Sequence, residues 1–190
     1  MNLSAVSTTE IVLGIVFLAV VLIAGVGIWR VACKRRTERL RTKFGGPEYT
    51  RAVEEGGSRR QAEAALDKRA ERVEGLHIRP LAAADRMRFV ESWGRVQARF
   101  VDGPGSAVTD ADRLLGDVMS TRGYPVSDFE QRAADISVDH PLVLENYRAA
   151  HQSALSQAEG HASTEDLRLA MIHYRTLFEE LIAEPQAARF

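Results

Sequence analysis

One uninterrupted apolar run near the start of the chain constrains the fold most. From Ile11 to Trp29 the sequence reads IVLGIVFLAVVLIAGVGIW, without a charged or strongly polar side chain. As an α-helix this run is about 28 Å long, close to the ~30 Å hydrocarbon thickness of a bilayer. A buried helix of a soluble domain is seldom apolar all round over such a length. The run therefore predicts a transmembrane helix at residues 11–29.

A cleaved signal peptide is the main alternative interpretation of this run. Such a peptide carries positive charge before its apolar region and a small-residue exit after it. No Lys or Arg precedes Arg30, and Gly25-Val26-Gly27 is a poor exit. The sequence thus favours an uncleaved anchor.

The residues that follow the run predict its orientation. Between residues 30 and 43 the only acid is Glu38, whereas the basic residues are Arg30, Lys34, Arg35, Arg36, Arg39, Arg41 and Lys43. The positive-inside rule then places residues 1–10 outside the cell membrane and the C-terminal domain in the cytoplasm. The same basic residues are expected to lie at the anionic inner leaflet, each contributing about 1 kcal/mol. Cys33, the single cysteine, is interpreted as a plain juxtamembrane residue rather than a lipidated one.

Residues 30–76 are expected to form a basic juxtamembrane helix and a stalk. Gly45-Gly46-Pro47 and Gly56-Gly57 bend or break the chain, because glycine and proline are costly inside helices. Residues 58–74 carry only a thin apolar edge, which is typical of an exposed helix rather than a central one. That edge consists of Ala62, Leu66, Val73 and Leu76.

Residues 77–184 show the 3-4 spacing of amphipathic helices and no alternation typical of strands. The predicted apolar faces are Leu81, Ala84, Val90, Trp93, Val96 and Phe100, with Phe89 and Val101 beside them; Val108, Ala111, Leu114, Leu115, Val118 and Met119; Leu144, Tyr147, His151, Leu155 and Ala158; and Leu167, Ala170, Met171, Tyr174, Leu177, Phe178 and Leu181. The fold class is therefore all-α: an N-terminal transmembrane helix, a basic stalk and a cytosolic bundle of about four main helices plus one or two short ones. Residues 185–190 form a tail.

Helix ends follow from local signals. Gly123 is predicted to end a helix in the left-handed conformation. Ser127 is predicted to open a capping box with Glu130, and Asp139 to cap the next helix ahead of Pro141. Ser163 is predicted to start the last helix.

The chain lacks the motifs of recognisable enzyme classes. It has no phosphate-binding loop, no nucleophile elbow and no dinucleotide fingerprint. Its five histidines form no metal-ligand pair at helical spacing, and the net charge of −1 with no basic stripe in the domain argues against nucleic acid. We therefore expect no enzyme activity, no cofactor and no metal.

One region could still hold a polar pocket or an interaction surface. Its residues are Trp93, Arg122, Tyr124, Arg132, Asp135, Asp139, His140, Tyr147 and His151. The leading interpretation is a membrane-tethered, non-catalytic domain for protein–protein interaction or scaffolding, with the protein partner unknown. The alternative is a small-molecule or cofactor sensor with a polar and aromatic pocket near residues 121–147.

Short motifs through most of the region after the apolar run carry a family likeness. They are Phe44 with Gly46-Pro47-Glu48-Tyr49, Arg79-Pro80-Leu81, Trp93, Val96-Gln97, Phe100-Val101-Asp102, Ala111-Asp112, Val118-Met119, Arg122-Gly123-Tyr124-Pro125, Asp128-Phe129-Glu130, Arg132-Ala133-Ala134-Asp135, Val138-Asp139-His140-Pro141, Tyr147-Arg148, Ala150-His151 and Thr164-Glu165-Asp166-Leu167-Arg168. With them the chain resembles a group of uncharacterised bacterial single-pass membrane or "secreted" proteins with a helical C-terminal domain. The resemblance implies a bacterial origin and supplies no activity, ligand or catalytic residue.

Overall fold

A computed structural model describes residues 8–125 and 128–183, with only the backbone described at 8–12, 14 and 15. These residues form eight α-helices and no strand, which confirms the all-α prediction for the described part of the chain. The helices are α1 (Thr8–Lys43), α2 (Gly45–Glu55), α3 (Arg59–Glu74), α4 (Ala83–Arg99), α5 (Pro104–Arg122), α6 (Phe129–Asp139), α7 (Leu144–Ala158) and α8 (Thr164–Ile182).

Helix α1 runs without a break for 36 residues. It contains the whole predicted span, and its described apolar side chains as far as Val31 are exposed, Phe17 by 72% and Trp29 by 65%. By length and composition it is the one helix in the described chain that is long and apolar enough to cross a membrane. The last turns of α1 differ, because Leu40 and the following Phe44 are buried.

The larger hydrophobic cluster lies among α4, α5, α7 and α8. Helix α8 packs along α7 and α5, and α5 also packs against α4. The rings of Trp93 and Phe178 stack with centroids 4.8 Å apart in this cluster. The predicted faces of α5 and α8 are confirmed, since every residue assigned to them is buried.

The predicted faces of α4 and α7 are only partly right. Phe89, expected beside the face of α4, is 4% exposed, whereas Val90 is 49% and Val101 83% exposed. Phe89 precedes Trp93 by four residues and so shares its side of the helix, while Val90 is rotated by about 100°. On α7 Leu144 and Tyr147 are buried as expected, but Leu155 is 46% exposed.

A smaller hydrophobic cluster contains the end of α1 together with α2 and α3. It consists of Leu40, Phe44, Tyr49, Leu66, Ala70, Val73 and Val138. This differs from the expected exposed stalk at residues 58–74, because the thin apolar edge of α3 is buried: Ala62 is 2% and Leu66 is 0% exposed. The chain reverses at Gly45, whose φ is +66°, so that α2 folds back along α1 and lets three thin apolar edges cover one another.

Two of the four predicted helix ends are confirmed, at Gly123 and Ser163. Gly123 ends α5 with φ of 101°, as predicted, and Ser163 forms a capping box with Asp166. Ser127 lies outside the described residues, and Asp128 caps α6 by accepting from the amide of Gln131. Asp139 is not an N-cap.

Residue Asp139 is instead the last residue of α6, and a turn at residues 140–143 precedes α7. The amide of Val143 bonds to the carbonyl of His140, and α7 begins after Val143 without a side-chain cap. The helix therefore starts later than the motif predicts, because backbone bonds of the turn replace the side-chain cap.

Candidate functional site

The basic flank of α1 divides into two faces. Arg36 contacts Asp67 of α3 with a nitrogen–oxygen distance of 2.5 Å, and Lys43 contacts Glu74 at 3.0 Å. Among the ion pairs between described residues, none joins the other predicted lipid-surface cations to α3. Arg30, Lys34, Arg35, Arg39 and Arg41 are exposed, and Lys34 lies 4.0 Å from Glu38 of its own helix. Two of the seven cations thus attach α1 to the fold, and five remain toward solvent.

A polar group joins α1, α2 and α3 beside the smaller cluster. The carboxylate of Glu63 accepts hydrogen bonds from Thr37 at 2.7 Å, from Tyr49 at 2.8 Å and from Arg59 at 3.0 Å. Burial by itself would raise the pKa of Glu63, but these donors outweigh it and lower the pKa below its ordinary value. Glu63 therefore stays ionised and fixes α3 against both neighbouring helices.

The deepest charge in this part of the chain is Glu48 on α2, which is 3% exposed. Its oxygens lie 2.6 Å from Arg69 of α3 and 2.5 Å from Arg148 of α7. Burial acts to raise the pKa of Glu48, and the bonds from Arg148 and Arg69 overcome it, so that the pKa is lowered. Glu48 thus links α2 and α3 to α7 of the larger helical cluster.

A second ionic contact lies one turn farther along α3. Arg72 donates to Asp135 of α6 at 2.9 Å, and Gln131 donates to the other oxygen at 3.0 Å. Asp135 is 1% exposed, and burial raises its pKa despite the opposing effect of Arg72. This carboxylate, one of the predicted pocket residues, therefore belongs to the junction between α3 and α6.

Four other predicted pocket residues meet where α5, α6 and α8 end. Arg122, 6% exposed, donates to the carbonyl oxygen of Leu181 at 3.0 Å and lies 3.5 Å from Nε2 of His140. The other ring nitrogen of His140 lies 2.9 Å from Glu180. Tyr124 donates to Asp139 at 2.9 Å. These contacts tie the ends of three helices together.

A separate group contains Arg132, Tyr147 and His151. The His151 ring stacks on Phe129 with centroids 3.6 Å apart, and Phe129 also contacts the ring of Tyr147 at 4.9 Å. Burial raises the pKa of Tyr147 and lowers that of His151. The hydroxyl of Tyr147, Nε of Arg132 and Nδ1 of His151 are buried without a hydrogen-bond partner among the described residues.

An open cleft of about 390 Å³ lies beside Arg132, between α5 and α6. Arg132 and Asp112 both line it, 3.6 Å apart, and Asp112 also accepts a hydrogen bond from Tyr174 at 3.2 Å. The remaining lining residues are Thr109, Arg113, Gly116, Asp117, Met119, Ser120 and Pro125. The cleft is thus lined by two cations and two anions, of which Arg132 and Asp112 are partly buried and Arg113 and Asp117 are exposed.

The predicted pocket residues are therefore distributed over several sites. Trp93 lies in the larger cluster on Phe178, Asp135 lies at the α3 junction, and the others form the two groups described above. Sequence reasoning missed Glu48, Arg69 and Arg148, whose partners are 21 and 100 residues away. No local pattern marks such a pairing.

No family model, no curated protein and no solved structure matches this chain.

Proposed function

We propose that this chain is a non-catalytic helical domain attached to the cell membrane by α1 and presented to protein partners in the cytoplasm in a fixed orientation. The observation that carries the proposal is the continuity of α1. The same helix holds the exposed apolar run and, almost three turns after its basic residues begin at Arg30, the buried Leu40. No loop separates the expected anchor from the packed part of the chain.

Ionic contacts support the same proposal. Arg36 and Lys43 of α1 pair with α3, and Arg69 and Arg72 of α3 reach Glu48 and Asp135. A tilt of α1 is thereby passed through α3 to the larger cluster, because each step is a packed or charge-paired contact. The basic residues expected at the anionic inner leaflet would set both the direction of the span and the height of the domain.

An insertion experiment tests the proposal in the full chain. A flexible Gly/Ser segment inserted after Ala32 precedes the first contact of α1 with α3, so the fold is retained and only its coupling to the anchor is lost. A helix-forming Ala/Glu insertion at the same point is the matched control. Photo-crosslinkers at exposed positions of α4 and α8 then report partners in native membranes.

We expect discrete crosslinked partners for the unmodified chain and a loss of them with the flexible insertion. Absence of any crosslinked partner would contradict the interaction role, and equal crosslinking with both insertions would contradict the fixed orientation. Extraction of the chain from membranes by alkaline carbonate would contradict the anchor itself.

The cleft beside Arg132 favours a second candidate function, a small-molecule sensor. Its support is the 390 Å³ cleft with Asp112 and Arg132 on its wall. The buried hydroxyl of Tyr147, which interacts electrostatically with both residues, has no hydrogen-bond partner in the described part of the chain. A ligand carrying both a cationic and an anionic group fits such a wall. Thermal-shift screening with amino acids and related zwitterions tests it, and a hit that survives Arg132→Gln would refute this site.

A further inference from the structure

Helix α3 runs parallel to the end of α1. Each residue of α3 can therefore be assigned to the residue of α1 that lies at the same position along the helix axis. Thr37 contacts Glu63, and Lys43, farther along α1, contacts Glu74, farther along α3. Arg36 reaches forward to Asp67, about one turn farther along α3 than Glu63, as a long arginine side chain allows. Because both helices rise about 1.5 Å per residue, the register can be extended backward along both.

Extension of this register places the start of α3 beside the first basic residues of α1. Arg60 falls level with the stretch from Trp29 to Lys34. Helix α2 supports this position independently: it folds back along α1 from Gly45, and its 11 residues cover about 16 Å. The turn of residues 56–60 therefore lies where the apolar run of α1 ends.

The charges at this level come from three elements. On α1 they are Arg30, Lys34 and Arg35; on α2, Glu54 and Glu55, the latter paired with Arg51 at 2.7 Å. Arg59 pairs with Glu63, although its side chain is 62% exposed. Arg60 is exposed and, among the described residues, makes no ion pair. This level of the structure therefore has a net positive charge, and on the α3 side Arg60 is the cation without an ion pair in the described chain.

The geometry points to a second membrane contact: we propose that the α2–α3 turn, residues 56–60, lies on the lipid headgroups and that Arg60 binds the phosphates of anionic phospholipid. The proposal rests on α1 being the anchor. Glycine at 56 and 57 gives the turn no bulky side chain that would hold it off the surface. Since Arg60 stands on α3 and Arg30 on α1, two separated contacts would fix the tilt of the domain.

Depth-dependent quenching in the full chain tests this contact. A fluorophore is attached at Gln61→Cys in a Cys33→Ser background, and the protein is reconstituted into phosphatidylcholine vesicles with or without phosphatidylglycerol. Lipid with a spin-labelled headgroup is the quencher. The matched control is the same label at Glu71→Cys, an exposed position on α3 about 15 Å farther from the bilayer.

We expect stronger quenching at position 61 than at 71, and an increase at 61 when phosphatidylglycerol is present. Arg60→Gln should lower the ratio of docked to undocked turn about fivefold, as expected for one cation at an anionic surface. Lys68→Gln, an exposed cation two turns higher on α3, should leave the quenching unchanged. Arg60 is exposed and has no ion pair with any described residue, so its substitution should leave the fold intact.

Each of the other possible outcomes contradicts one part of the proposal. If positions 61 and 71 are quenched equally in protein that resists carbonate extraction, the α2–α3 turn does not contact the lipid. The proposal that α1 is the anchor is then unaffected. If quenching at position 61 does not change when phosphatidylglycerol is added, or when Arg60 is replaced by Gln, the role of Arg60 is contradicted. Extraction by carbonate overturns the anchor and, with it, this contact.

Discussion

Replacement of Glu48 by Gln tests whether the buried ion pairs hold α2 and α3 on the larger cluster. The variant keeps the size of the side chain and removes the charge shared by Arg69 and Arg148. Loss of one partner of a buried pair typically costs about 3–5 kcal/mol. Arg69 and Arg148 are 24% and 13% exposed and partly reach water, which favours the lower end, about 3 kcal/mol.

Thermal unfolding of the full chain in lipid nanodiscs, followed by near-ultraviolet circular dichroism, measures this loss. For a cooperative unit of this size, about 3 kcal/mol lowers Tm by roughly 6–12 °C. The matched control is Glu179→Gln, which breaks an exposed pair with Arg175 at 2.7 Å on a single helix. Such a pair contributes about 0.5 kcal/mol or less, so its Tm should hardly change.

The pH dependence gives the same prediction a second readout. The pKa of Glu48 in the folded chain is lowered from its ordinary 4.5. The stability that its charge contributes is therefore complete above that value and is lost as the pH falls through the lower, folded pKa. The Tm difference between wild type and Glu48→Gln should shrink in acid. A difference no larger than that of Glu179→Gln, or one independent of pH, would refute the reasoning.

Four further substitutions are tested in the same unfolding assay, and their expected effects range from stabilising to strongly destabilising. Asp135→Asn should leave stability at neutral pH unchanged or raised, because burial raises the pKa of Asp135 and its ionised form is costly; a large loss would contradict this. Tyr147→Phe should cost no more than about 0.5 kcal/mol, since its hydroxyl has no partner in the described chain, whereas Tyr174→Phe should cost about 1 kcal/mol. Gly123→Ala should cost at least about 1–2 kcal/mol, because φ is 101° and the added Cβ would lie 2.5 Å from the carbonyl oxygen of His77. Wild-type stability of that variant would refute the assigned strain.

The sequence determined those features that depend on residues near one another along the chain. The apolar run before Arg30, the faces of α5 and α8, the left-handed Gly123 and the cap at Ser163 follow from spacing and composition within a few turns. The sequence was less informative where one local pattern is compatible with two helix boundaries. Asp139 before His140 and Pro141 has the pattern of an N-cap, yet backbone bonds extend α6 to include it.

Only the tertiary structure decided how the region after the apolar run is organised. A thin apolar edge such as that of α3 suits solvent exposure when taken alone, and it became buried because α1 and α2 present equally thin edges to it. The same holds for the predicted pocket residues, which tertiary packing assigns to separate groups. The bonds of Glu48 to Arg69 and Arg148 depend on three helices meeting in space, and long-range electrostatic pairing leaves no periodic trace in a single sequence.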